Sequence, residues 1–270
     1  MTPTPPEPSG ERLRLLHLGL GSFHRAHQAV YMHRLMQLGD LRWQCAGANL
    51  RPDMADTIAA LQRQGGAYTL ETVSPHGERV LEKITSSTEV IAYEPTLARV
   101  LELGADPATR IVSFTVTEAG YALDHTGRLD LAHPEIVSDL AGATRLTIYG
   151  AVTALLRARR AADAGALTFL NCDNLRHNGD HFRTSLQRFI AATGDTDLLA
   201  WTEANTSCPN AMIDRITPRP AADMKARVAK EAGWADQAPL MAESFIQWVI
   251  EERFANGRPD WERVDRKSVV

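Results

Sequence analysis

A short apolar run, Leu13 to Leu18, empties directly into Gly19-Leu20-Gly21, and Phe23 to Leu38 then follows with helical spacing. A buried strand, a Gly-x-Gly turn and a helix, in that order near the N-terminus, leave few folds open. The first glycine permits a tight turn, and the second lets a pyrophosphate come close to the backbone. The helix then directs free N–H groups and its positive dipole end at the phosphates. His24 stands where a third glycine would complete the fingerprint, so a plain turn after a strand is the competing reading.

The rest of the chain favours the first reading. Trp43–Ala48, Tyr68–Val73, Val80–Ile84, Ile111–Val116 and Leu167–Leu170 read as strands, with Pro75-His-Gly77 as a turn. Asp53–Gln64, Leu97–Leu103, Thr147–Ala162, Gly179–Ala192 and Asp195–Asn205 read as helices. Strands alternating with helices imply an α/β fold, a Rossmann-like doubly wound and mostly parallel sheet. Pro218 to Pro239 reads as a polar connector, and Ser244 to Phe254 as a mixed apolar segment. This divides the chain into a disordered, Pro-rich lead-in (1–12), a dinucleotide-binding domain (13–240) and the start of a truncated C-terminal extension (241–270).

Composition narrows the partners. With 29 basic and 33 acidic side chains the net charge is -4, which argues against nucleic acid. No apolar run approaches the ~20 residues of a membrane span. Three widely spaced cysteines fit neither a disulfide framework nor a zinc motif, and a reducing cytoplasm is the simplest setting. His24 and His27 have metal-compatible spacing, but no third ligand is evident, so no metal is expected.

Ligands of open α/β sheets bind outside the carboxyl ends of strands. The cofactor candidates there are Gly19, Gly21 and Phe23, then Asn49 and Asp53 after the second strand, then Thr117 and Glu118 after Ile111–Val116. Phe23 also has a packing reading. Asp53 would hold ribose hydroxyls, which favours NAD, whereas nearby Arg51 would accept a 2′-phosphate, which keeps NADP open. Asp53 as a helix cap is the bland alternative. A second polar cluster, Asn171-Cys-Asp-Asn174 with His177-Asn-Gly179, suits a nicotinamide amide or substrate hydroxyls, and equally suits a turn and cap. Asp214 and Arg215 form a third cluster, for which a local ion pair is the plain reading.

Five blocks in order carry a family resemblance: Leu18-Gly-Leu-Gly-Ser-Phe-His-Arg-Ala-His27, Thr115-Val-Thr-Glu-Ala-Gly-Tyr121, Asn171-Cys-Asp-Asn-Leu-Arg-His-Asn-Gly179, Pro209-Asn-Ala-Met-Ile-Asp-Arg-Ile-Thr-Pro218 and Glu243-Ser-Phe-Ile-Gln-Trp-Val-Ile-Glu251. From about Leu13 to Trp261 the chain resembles the polyol-specific long-chain dehydrogenases, the mannitol dehydrogenase family. The resemblance implies zinc-independent hydride transfer between a polyol and NAD(P). Asn174 would hold substrate hydroxyls and Asp214 would line the same pocket. Gly47-Ala-Asn-Leu-Arg51, Tyr68 to Pro75 and Ser207-Cys-Pro-Asn210 draw it toward members that oxidise D-arabinitol to D-xylulose. Mannitol–fructose and uronate members are the alternatives.

The family also implies a second domain with a general-base lysine in a Lys-x-x-x-x-Asn-x-x-His pattern. Lys267 cannot begin that pattern, because its Asn would fall beyond Val270. The expectation is therefore a truncated chain that binds cofactor without the catalytic lysine. A bare NAD(H)-binding module and a nucleotide-sensing protein are the competing functions. An apolar face meant for the second domain would promote self-association.

Overall fold

The computed structural model describes residues 11–264. Its strands are β1 (Leu13–Leu18), β2 (Trp43–Ala48), β3 (Tyr68–Val73), β4 (Arg79–Ile84), β5 (Ser87–Ile91), β6 (Thr109–Phe114), β7 (Leu167–Asn171), β8 (Thr206–Ser207), β9 (Ala211–Asp214), β10 (Leu240–Glu243) and β11 (Gln247–Ile250). Its helices are α1 (Ser22–Ala26), α2 (Gln28–Gln37), α3 (Ala55–Arg63), α4 (Ala98–Ala105), α5 (Pro134–Leu140), α6 (Ile148–Ala161), α7 (Asn178–Ala192), α8 (Thr196–Asn205) and α9 (Met224–Glu231).

Six strands form one sheet in the order β5-β2-β1-β6-β7-β8, and every pairing in it is parallel. Strand order reverses between β1 and β6, which opens a crevice at their carboxyl ends. Both faces of the sheet are covered. Leu16, Leu18, Val112, Phe114 and Phe169 pack on one side with Val152, Leu155 and Leu156 of α6 and Phe182 of α7. Leu15, Cys45, Ile111 and Leu170 pack on the other with Tyr31, Met32 and Leu35 of α2. This is the period-two division of a strand buried on both faces, and it accounts for the near-continuous apolar runs.

Two smaller sheets are appended. The β3–β4 hairpin is antiparallel, and β10 joins β3 in parallel. β9 and β11 pair antiparallel, with Asp214 opposite Gln247. The chain thus passes residue 240 as the first residue of a strand.

The fold departs from the sequence reading in several places. The helix expected over Phe23–Leu38 breaks at His27, where φ is -121° and ψ is -89°. Carbonyls freed near the break find tertiary donors: the Tyr68 hydroxyl donates to Arg25 O at 2.6 Å, and Arg215 Nη1 donates to Ala26 O. The stretch expected to be a polar connector contains α9, whose Met224 and Val228 are buried one turn apart. β5 and α5 add two elements that the periodicity did not indicate. Of the expected lead-in, residues 1–10 lie outside the described residues; Glu11 is irregular, and its Oε1 lies 3.0 Å from Arg110 Nη2. No helix among the described residues is long and apolar enough to cross a membrane.

Candidate functional site

A cleft of about 620 Å³ lies at the reversal point. Gly19, Gly21, Asn49, Arg51, Asp53 and Thr117 line it, together with Thr115, Gly120, His133, Glu135 and Thr147. The two glycines do different work. Gly19 has φ +108°, and a Cβ there would sit 2.5 Å from the Thr115 carbonyl oxygen. Only glycine fits that turn. A Cβ at Gly21 would meet nothing nearer than Gly19 O at 3.8 Å, so the backbone there stands open. Gly21 is also the N-cap of α1 and makes no side-chain cap bond. An approachable backbone beside a helix start is what a pyrophosphate requires.

The loop is held from both sides. The Leu20 N–H donates to Asn49 Oδ1 at 2.6 Å, which ties it to the end of β2. Thr115 Oγ1 donates to Gly19 O at 3.0 Å, and His17 Nε2 lies 3.0 Å from the same oxygen. His17 Nδ1 lies 2.8 Å from the Ser113 hydroxyl, which donates to Gln28 Oε1 at 2.8 Å. The His17 ring stacks on His24 with centroids 3.6 Å apart. Burial pushes the His17 pKa down to about 3, and burial beside His17 and Arg25 depresses His24 as well. Both rings are neutral at physiological pH and act as packing under the loop.

The end of the cleft beside β2 carries an ion pair. Arg51 Nη2 lies 2.5 Å from Glu135 Oε2, and Asp53 sits exposed in the 3-10 turn beside them. Phe23 lies away from the cleft lining. Its ring stacks on His27 at 5.2 Å and packs against the α2 side of the core. The Thr117 carbonyl accepts from the Gly120 N–H at 2.7 Å, which shapes the opposite wall. The side chain of Glu118 lies outside the described residues.

At the ends of β6 and β7 the polar run is already organised. Asp173 Oδ2 accepts from the Val116 N–H at 3.1 Å and from the Tyr121 hydroxyl at 2.9 Å. Asn171 Nδ2 donates to the same hydroxyl. Burial raises the Asp173 carboxyl to about 7, against the lowering effect of those two donors. Asp173 and Tyr121 were not singled out from the sequence, although both lie in the polar runs that mark the strand ends. The Asn178 amide donates to Ala211 O at 2.8 Å and accepts from Ala211 N at 2.9 Å, so it is a clamp between the β7 loop and β9. Asn174 and Asp214 are exposed on the two segments so joined, and neither lines the cleft. Arg215 does not pair locally with Asp214. It turns inward and donates to Glu243 O at 2.9 and 3.0 Å. His27, the second residue of the metal-compatible spacing, is buried, with Nε2 at 2.8 Å from Gln247 O. Among the described residues no group of three His, Cys, Asp or Glu is placed to hold a metal.

Residues 13–263 match the family described as the mannitol dehydrogenase Rossmann domain. The chain is 56% identical over 251 residues to a D-arabinitol 4-dehydrogenase of Ralstonia nicotianae, covering 92% of this chain and 54% of that one. It is 50% identical over 254 residues to a D-arabinitol 4-dehydrogenase of Klebsiella pneumoniae, covering 94% and 56%. The chain therefore spans about half the length of these curated relatives. Among solved structures, a Pseudomonas fluorescens mannitol 2-dehydrogenase in ternary complex with NAD and D-mannitol superposes with a TM-score of 0.87 at 37% identity, covering 96% of this chain and 52% of that one. A family match over nearly the whole chain, together with this sheet order and glycine loop, makes the protein a member of the mannitol dehydrogenase family.

Proposed function

We propose that the chain binds NAD(H) in the reversal-point cleft and forms the cofactor half of a polyol dehydrogenase, with D-arabinitol and D-xylulose as the favoured pair. The observation that carries this is the Gly19–Gly21 loop, with one glycine forced by Thr115 and the other open to the cleft. The open backbone at Gly21 lets the pyrophosphate approach the N–H groups at the start of α1, and Asp53 takes the ribose hydroxyls. Thr117 and Glu118 lie toward the nicotinamide. When bound, NAD supplies the hydride acceptor. Asn174 and Asp214 orient the polyol hydroxyls on the β7–β9 side. Alcohol oxidation also releases a proton, which needs a positioned base. No lysine lines the cleft among the described residues.

Assayed alone, these 270 residues are expected to quench or enhance NADH fluorescence saturably and to reduce no NAD with D-arabinitol. Turnover by this chain would overturn the requirement for a lysine from elsewhere. Absence of NADH binding by a folded sample would overturn the cofactor reading.

Met212 of β9 and Ile216, two residues beyond its end, stand on either side of Asp214, and Phe245 follows β10; these three are 52%, 64% and 50% exposed. Such a patch beside a candidate substrate residue favours self-association when nothing covers it. Sedimentation velocity is expected to show concentration-dependent association that Met212→Ser with Phe245→Ser abolishes. A monomer at all concentrations would reject it. A cytoplasmic location is the setting proposed for such an enzyme, with all three cysteines buried and free.

A further inference from the structure

The Arg51–Glu135 pair bears on which dinucleotide the cleft accepts, and this inference rests on the cofactor reading above. Both residues line the cleft, 84 positions apart in sequence. Their backbones are fixed. Arg51 lies between Leu50, which is 9% exposed, and Pro52. Glu135 lies between Pro134, which opens α5, and the fully buried Ile136. The far end of α5 is anchored as well: Asp139 Oδ2 accepts from the Thr147 N–H at 2.8 Å and from the Thr147 hydroxyl at 2.7 Å. Glu135 is thus presented to Arg51 by a seated helix rather than by a free surface side chain.

We propose that Glu135 is a specificity-determining residue that favours NAD over NADP by occupying Arg51. In a sheet of this order the end of β2 meets the adenosine ribose, where an arginine ordinarily receives a 2′-phosphate. Here that guanidinium already holds a carboxylate at 2.5 Å. The three charged side chains, Arg51, Asp53 and Glu135, sum to one negative charge at the ribose end. A 2′-phosphate would have to displace Glu135 from Arg51 and then lie beside two carboxylates. Removing the Glu135 charge frees the guanidinium and brings the local sum to zero. Because Arg51 and Glu135 keep 48% and 32% side-chain exposure, solvent screening limits the effect.

The test is a titration of the 270-residue chain with NADH and with NADPH, as wild type, Glu135→Gln, Arg51→Gln and the double variant. Glu135→Gln is expected to shift the ratio of the two dissociation constants about five- to tenfold toward NADPH. Arg51→Gln, which removes the guanidinium, is expected to give no such gain, and the double variant should lose it. Glu135→Asp, too short to hold the same contact, should shift the ratio in the same direction and serves if the glutamine variant does not fold. An unchanged ratio in these Glu135 variants, with NADH still bound, would overturn the role of Glu135 and leave the cofactor reading intact. A gain that persists in the double variant would overturn the occupation of Arg51. A folded wild-type chain that binds neither dinucleotide would remove both the cofactor reading and this inference.

Discussion

Replacing Arg159 with alanine is expected to lower the unfolding free energy by more than about 4 kcal/mol, enough to leave a domain of ordinary stability mostly unfolded in mild denaturant. Arg159 is fully buried, and each of its donors meets a backbone carbonyl. Nε donates to Gly165 O at 2.8 Å, Nη1 to Gly104 O at 2.8 Å and Asp106 O at 3.2 Å, and Nη2 to Ala164 O at 2.7 Å and Ala166 O at 3.0 Å. Burial lowers its pKa to about 10, so the guanidinium stays charged at neutral pH. It satisfies carbonyls at the end of α4 and along the turn from α6 into β7, where a cation also suits the helix termini. Alanine removes the donors to Gly104, Ala164 and Gly165 O, leaves Asp106 O and Ala166 O to the Thr109 N–H and the Asn256 amide, and opens a cavity. Arg159→Lys offers three donors without the planar fork and should lose roughly half as much. Arg159→Met keeps the bulk and loses every donor, so it separates hydrogen bonding from volume. Urea midpoints at pH 7.5 decide the matter. A loss below ~1 kcal/mol for both alanine and methionine would mean that water satisfies the carbonyls and that the arginine is not a structural staple.

No pattern in the sequence marks Arg159 for this role, and that shows where sequence reading stops. β1, β2 and β3 are legible because their apolar runs end at a glycine, an asparagine or a Ser-Pro turn, all signals carried by adjacent residues. α9 is not, because only Met224 and Val228 touch the core and the other residues suit a solvated connector. β5, with Ser87 and Ile91 buried and Thr88 and Glu89 turned partly outward at the sheet edge, carries too few apolar positions to announce itself. The same limit applies to the cleft. Gly19 and Gly21 are readable from local spacing. Asn49 bonding Leu20, Glu135 holding Arg51 and Tyr121 meeting Asp173 depend on how distant strands align, and no local window contains both partners. Polar residues gathered at strand ends were the available signal, and they indicated the right ends without indicating which side chains pair with one another.

Stability is expected to fall steeply as pH drops from 6.5 toward 4.5, and the histidines beneath the glycine loop are the cause. Burial depresses the pKa of His17 to about 3 and of His27 to about 4, and pushes His24 down in the same direction. In the unfolded chain each titrates near 6.5. Between these values the unfolded chain binds protons that the folded protein refuses. The stabilisation is therefore complete above pH 6.5 and is lost as pH falls. Asp173 acts in the opposite sense. Its carboxyl is raised to about 7 by burial, so it gains a proton in the folded state over the same interval. Three sites against one leave about two protons, a slope of roughly 2.7 kcal/mol per pH unit. His33, depressed by partial burial and partly supported by Glu82, adds to the loss. Over two pH units the change rivals the whole stability of a typical domain. Urea midpoints measured at half-unit steps from pH 7.5 to 4.5 give the slope directly. His24→Phe keeps a ring stacked on His17 and removes one site, so it should flatten the slope by about one proton, ~1.4 kcal/mol per pH unit. A profile flat from 7 to 5, or one that His24→Phe leaves unchanged, would show that the buried imidazoles already carry protons in the folded state, and would remove the neutral stacked pair from the account of what supports the loop.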